Sequence, residues 1–212
     1  MATHIHEQEQ VEALKRWWKE NGTSVIAGIA LGIAGIFGWN AWETYQNTRS
    51  EQASDLYRQL VSALDESKHD LAEGIASRLT SDFDSTSYAD FARLLLAKAA
   101  IDQERPDAAK LELEALLANS KDEDFRHIAR LRLARVLLAL GKPEEGISLL
   151  NAAEVGDPGR FSGQYEEVKG DLYLAWGKSE EAQEAYRKAI ALGRDNFVLQ
   201  MKLNDLDSSS SR

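Results

Sequence analysis

GDLYLAWGKSEEAQEAYRKAIAL, residues 170–192, reads as two short amphipathic helices broken at Gly177-Lys178-Ser179, and it is not unique in the chain. ARVLLALGKPEEGISLLNAAE, residues 134–154, lies 36 residues earlier and matches it position for position: Ala134 with Gly170, Leu137 with Tyr173, Gly141 with Gly177, Gly146 with Ala182, Leu150 with Tyr186, Ala153 with Ala189. A further copy, AKAAIDQERPDAAKLELEALL from Ala97, aligns Pro106 with Pro143 and Ala109 with Gly146, and a degenerate fourth falls around Ala53 to Leu79. Small residues stand on small and large on large at a period of 36 or 37. Each unit is thus a helix pair that buries one face against the next.

The sequence around the copies agrees. It is rich in Ala, Leu, Glu, Lys and Arg and has no alternating Val/Ile/Thr runs, so the body from residue 43 to 206 is predicted all-α. Breaks fall at TSDFDSTS (80–87), NSKDED (119–124), Gly141-Lys142-Pro143, VGDPGRFSG (155–163) and Gly177-Lys178-Ser179. DNFVLQMKLNDL, 195–206, supplies a last helix to cover the open end of a stack, and residues 207–212 are expected to fray. The pattern resembles the tetratricopeptide repeat, with Pro158 at that repeat's terminal proline position. It departs from it where Arg130 and Glu166 replace a large aromatic early in the first helix. The resemblance implies an α-solenoid whose first helices line a concave face. That face would receive Phe91, Leu94 and Lys98 from the second copy, Leu131 and Arg135 from the third, and Gln164, Glu167 and Asp171 from the fourth. Such a groove suits extended or helical peptide, although Leu94 and Leu131 also read as core.

Ahead of the body, the 21 residues from Gly22 to Trp42 carry no charge. From Trp18 to Trp39 a helix rises about 31 Å, close to the ~30 Å hydrocarbon thickness of a bilayer. Trp17 and Trp18 mark one interface and Trp39, Trp42 and Tyr45 the other. A buried core helix is disfavoured by the length. A cleaved signal is disfavoured too, because Trp39-Asn40-Ala41 puts a bulky ring where a small residue is wanted. Residues 23–42 are therefore expected to form a retained single-pass anchor after a cytoplasmic leader, 1–22. Lys15, Arg16 and Lys19 precede the span and only Arg49 closely follows it, which predicts a cytoplasmic N-terminus and a body on the far side, periplasmic in a bacterium. Ser24, Gly28, Gly32 and Gly35 share one helix face and form a small-residue stripe suited to contact with another membrane helix.

From Glu43 onward 22 Lys and Arg face 31 Asp and Glu, a balance that disfavours nucleic acid or anionic lipid as the body's partner. The absence of cysteine removes disulfides, thiol nucleophiles and thiolate metal sites. No metalloprotease, phosphate-loop, nucleophile-elbow or kinase pattern is present. His4 and His6 lack a third ligand, His69 and His127 stand alone, and Glu144-Glu145 and Glu180-Glu181 read as helix N-terminal charges. No cofactor is implied, and an enzyme is not expected.

The leader QVEALKRWWKENG, the glycine-rich anchor and divergent repeats ending in LQMKLNDL together resemble the bacterial YfgM family over essentially the whole chain. The resemblance implies an ancillary subunit of the SecYEG translocon, held in the inner membrane with its repeats in the periplasm beside a membrane-anchored chaperone of the PpiD type. It implies a non-catalytic adaptor that hands emerging secreted polypeptides or recruited chaperones onward. A membrane-anchored scaffold for an envelope or cell-division complex, and an unrecognised enzyme or regulator acting through the leader, are the alternatives.

Overall fold

A computed structural model describes residues 2–210. Among them every regular element is helical, and the chain divides into two compact units, the first ending at Glu51 and the second beginning at Gln52. Helix α1, Ala2–Asp65, contributes to both.

In the first unit, α1 is long and apolar enough to cross a membrane. Its large apolar side chains are exposed, Phe37 at 71% and Leu31 at 74%. Leaving such a side chain in water forgoes about 1.5–3 kcal/mol, so this helix requires an apolar surrounding that its own unit does not supply. The Trp17 and Trp18 rings lie 6.4 Å apart at one end of the run, and Trp39 and Trp42 lie 5.6 Å apart at the other.

The second unit stacks helix pairs. The end of α1 packs with α2 (His69–Asp82), α3 (Ser87–Asp102) with α4 (Pro106–Asn119), α5 (Glu123–Ala139) with α6 (Pro143–Leu150), and α7 (Ser162–Ala175) with α8 (Ser179–Ala191). Helix α9, Phe197–Ser210, then lays Leu199 and Leu206 on Ala182, Tyr186 and Ala189 and closes the stack. Its Asp207 accepts from Gln183 and Arg187 of α8.

One turn joins the two helices of every pair. Ser67, Glu104, Gly141 and Gly177 have φ of 56°, 58°, 72° and 78°. The next amide, of Lys68, Arg105, Lys142 or Lys178, donates to the carbonyl of Ala63, Ala100, Leu137 or Tyr173 at 2.8 to 2.9 Å. This left-handed cap satisfies the carbonyls that a helix end orphans. It recurs at spacings of 37, 37 and 36 residues, so the degenerate copy around residues 53–79 is a full unit. Proline opens α4 and α6, where its missing amide costs nothing. Glu144-Glu145 and Glu180-Glu181 sit in first turns, against the positive end of the helix dipole.

Small residues set the helix spacing. A Cβ on Gly170 would lie 2.3 Å from the ring of Tyr186, and one on Gly146 would lie 2.5 Å from Leu172. The third unit carries Ala134 and Leu150 in one core cluster at the places of Gly170 and Tyr186, so a larger second-helix residue goes with a smaller first-helix one. The third unit also differs in its second helix. α6 has 8 residues against 14 in α4 and 13 in α8, and two 3-10 turns, Ala153–Val155 and Gly159–Phe161, carry the chain on to α7.

Candidate functional site

The first helices of the four pairs are the last turns of α1, then α3, α5 and α7, and the unit period brings one stripe of each into register. Tyr57 of α1 meets two rings of α3, Tyr88 at 5.7 Å and Phe91 at 5.8 Å between centroids. Phe91 in turn meets Phe125 of α5 edge-on at 4.9 Å. Three successive first helices are thereby tied by one aromatic row, in which Phe91 remains 41% exposed. Beside the row a cleft of about 420 Å³ opens between α1 and α3, lined by Val61, Leu64, Leu95, Lys98 and Asp102 among others.

The residues expected to line the face have three different fates. Phe91, Lys98 and Arg135 are exposed, and Lys98 pairs with Asp102 at 2.5 Å. Leu94 and Leu131 are 7% and 2% exposed and belong to the core: each points between its own helix and the next, into two different clusters. Gln164, Glu167 and Asp171 are half-buried. Glu167 accepts from Arg194 Nε and a terminal guanidinium nitrogen at 2.9 and 2.6 Å. Asp171 accepts from the Tyr186 hydroxyl at 2.7 Å and Lys202 Nζ at 2.5 Å. Burial first, and then the bond to Asp171, push the Tyr186 hydroxyl far above its ordinary range. At the α7 end the carboxylates are therefore occupied in fixing α8 and α9.

Sequence reasoning missed Tyr57, Tyr88, Leu95, Ile128 and Arg132. The signal was there: Tyr57 stands 37 residues before Leu94, Ile128 stands 37 after Phe91, and Phe125 and Arg132 share a face at i, i+7. Arg132 and Arg135 follow one another at i, i+3 on α5, and partial burial together with the Arg135 charge draws the Arg132 guanidinium below its ordinary range.

His127 is not isolated. It is buried, its Nδ1 lies 2.9 Å from the Tyr165 hydroxyl, and its ring packs against Phe161 and Tyr165. Burial, and then the charge of the 4%-exposed Arg130, hold its imidazole below the ordinary 6.5. Arg130 fills the place of the expected aromatic and is buried there, its charge acting on the Tyr165 hydroxyl. Among the described residues no three His, Asp or Glu side chains converge to hold a metal, and the His4 and His6 side chains lie outside those described. In the first unit Ser24, Gly28, Gly32 and Gly35 are exposed, and a Cβ on any of the three glycines would meet nothing.

Residues 15–208 match the family model described as a tetratricopeptide repeat-like domain. The chain is 33% identical, over 97% of its own length and 100% of the relative's, to the ancillary SecYEG translocon subunit of Haemophilus influenzae. It is 29% identical to the proteins of the same name from Escherichia coli and Neisseria gonorrhoeae, covering 99% and 100% of those chains. Its fold is similar to a solved structure titled for the functional characterization of Pseudomonas aeruginosa pilF, with a TM-score of 0.60 at 18% identity, covering 77% of this chain and 71% of that one.

Proposed function

The chain belongs to the family of the ancillary SecYEG translocon subunits, and from that membership we propose that it is a non-catalytic adaptor anchored beside the protein-conducting channel of the inner membrane. The observation that carries the reading is that the similarity extends over anchor and repeats together, so the membrane helix and the helical body are inherited as one device. The anchor, residues 23–42, would dock on a membrane neighbour through Ser24, Gly28, Gly32 and Gly35, since close backbone approach is what favours helix association in lipid. Lys15, Arg16 and Lys19 support a cytoplasmic leader and a periplasmic body. The first-helix face, with Phe91, Lys98 and Arg135 open to solvent, would engage emerging polypeptide or a membrane-anchored chaperone of the PpiD type.

Affinity purification of the full chain from detergent-solubilised membranes, with photo-cross-linkers at Phe91 and Arg135, tests this. Channel subunits should be recovered, and chaperone or nascent chain captured from the two positions. Recovery of envelope or cell-division proteins without channel subunits would replace the reading with the scaffold alternative. A C-terminal reporter active only in the cytoplasm should stay silent, and a strong signal would invert the topology.

A further inference from the structure

Lys and Arg side chains of the second unit characteristically close onto carboxylates. Arg93 pairs with Glu112, Lys110 with Glu114, Arg126 with Glu123, Lys142 with Glu145, Arg187 with Asp207 and Lys188 with Glu184. In a chain holding 35 Asp and Glu against 25 Lys and Arg, a basic group finds an acidic neighbour by default. Arg132 and Arg135 depart from this, as Arg78 and Lys121 do singly elsewhere, but here two such charges stand together. Both residues reach solvent, the Arg132 guanidinium being partly desolvated, they stand one turn apart where like charges repel, and among the described residues neither has a hydrogen bond or ion pair. The carboxylates at the corresponding level of α7 are turned away from them, Glu167 to Arg194 and Asp171 to Lys202.

These two charges adjoin the aromatic row. Phe125, the ring that touches Phe91, lies two helical turns before Arg132 on the same face of α5, about 10 Å along the axis. An extended chain covers that distance in about three residues. We propose that this face of α1, α3 and α5 docks an extended segment of a partner protein in which an aromatic or aliphatic residue is followed, at least about three positions on, by paired acidic residues. The apolar side chain would rest on Tyr57, Tyr88 and Phe91, and the carboxylates would be received by Arg132 and Arg135. The surrounding negative charge favours this occupant over a broad anionic surface: a membrane of anionic lipid would meet the whole acidic body, whereas a narrow segment meets only the local cationic spot. The inference rests on the reading of the first-helix face as a docking surface and adds what chemistry it selects.

The test uses the full chain in nanodiscs of zwitterionic lipid and fluorescence anisotropy with three labelled peptides of equal length. The first carries Phe and Leu followed by two Glu, the second has Gln for Glu, and the third has Ser for Phe and Leu. The first should bind about tenfold tighter than the second at low salt, with the margin shrinking as salt rises. Arg132→Glu with Arg135→Glu should abolish that margin while circular dichroism shows the helical body still folded. Arg132→Lys with Arg135→Lys should keep most of it, and Phe91→Ala should weaken the first peptide but not the third. Equal binding of the first and second peptides, or a margin that survives charge reversal, would overturn the proposal. So would a charge-reversed chain that loses affinity only for anionic vesicles. Channel recovery is scored separately. Peptide preference without channel subunits retains this inference and removes the translocon reading; channel subunits without peptide preference do the reverse.

Discussion

Gly28, Gly32 and Gly35 of the anchor and Gly146 and Gly170 of the repeats are one residue type serving opposite needs. In the anchor an added Cβ would meet nothing, whereas at Gly170 it would enter the Tyr186 ring and at Gly146 the Leu172 side chain. At Gly146 and Gly170 the helical body uses the missing side chain for its own packing. The three anchor glycines meet no other part of their own chain.

That contrast breaks if substitution in the two places has like effects. The largest loss is expected for Gly170→Ala, about 1–3 kcal/mol from overpacking against a fully buried ring. Measured in a Tyr186→Leu background, which imitates Ala134 with Leu150, the same substitution should cost at least about 0.5 kcal/mol less. Next comes Gly177→Ala, which forces a side chain into the left-handed region at φ 78° and should cost about 1 kcal/mol by chemical denaturation. The same turn sharpens the comparison in reverse, because Ser67→Gly and Glu104→Gly relieve a strain already present and should each stabilise by somewhat under about 1 kcal/mol. A smaller, pH-dependent effect belongs to His127. Its folded value lies below the ordinary 6.5, so as pH falls through 6.5 the unfolded chain takes up a proton that the folded chain refuses, and stability is lost. The thermal midpoint should drop on going from about pH 7.5 to about pH 5.5, and less so in His127→Gln. At the far end of the scale, Gly28→Leu with Gly32→Leu should leave the unfolding of the helical body unchanged while reducing co-purification of membrane partners. A shift in the midpoint there would mean that the stripe packs within the chain after all.

The repeats from residues 97, 134 and 170 were legible because Gly141, Gly177, Pro106 and Pro143 mark their turns with residues that few other positions demand. The first repeat was faint for the complementary reason: Ser67 and, in the second repeat, Glu104 make the same turn with residues that carry no such signature. The site was less legible than the fold. Leu94, Leu131, Phe91 and Tyr57 all fit an apolar period, and only the packing of neighbouring helices decides that the first two are core and Phe91 is open. The shortness of α6 was hidden as well, since ISLLNAAE continues a helical pattern to Glu154 while the chain leaves the helix at Leu150. Contacts between rings 34 residues apart, such as Tyr57 with Phe91, can be read only through the repeat period, not from any local pattern.

The recurring left-handed turn has a genetic consequence. Because Ser67 and Glu104 hold the same backbone geometry 37 residues apart, excising the intervening segment would splice one turn onto its twin with both flanking helices still in phase. The body is in this sense editable in whole repeats, and a shortened chain would lose one of its four helix pairs while keeping α1 and the closing helix α9 in the same order.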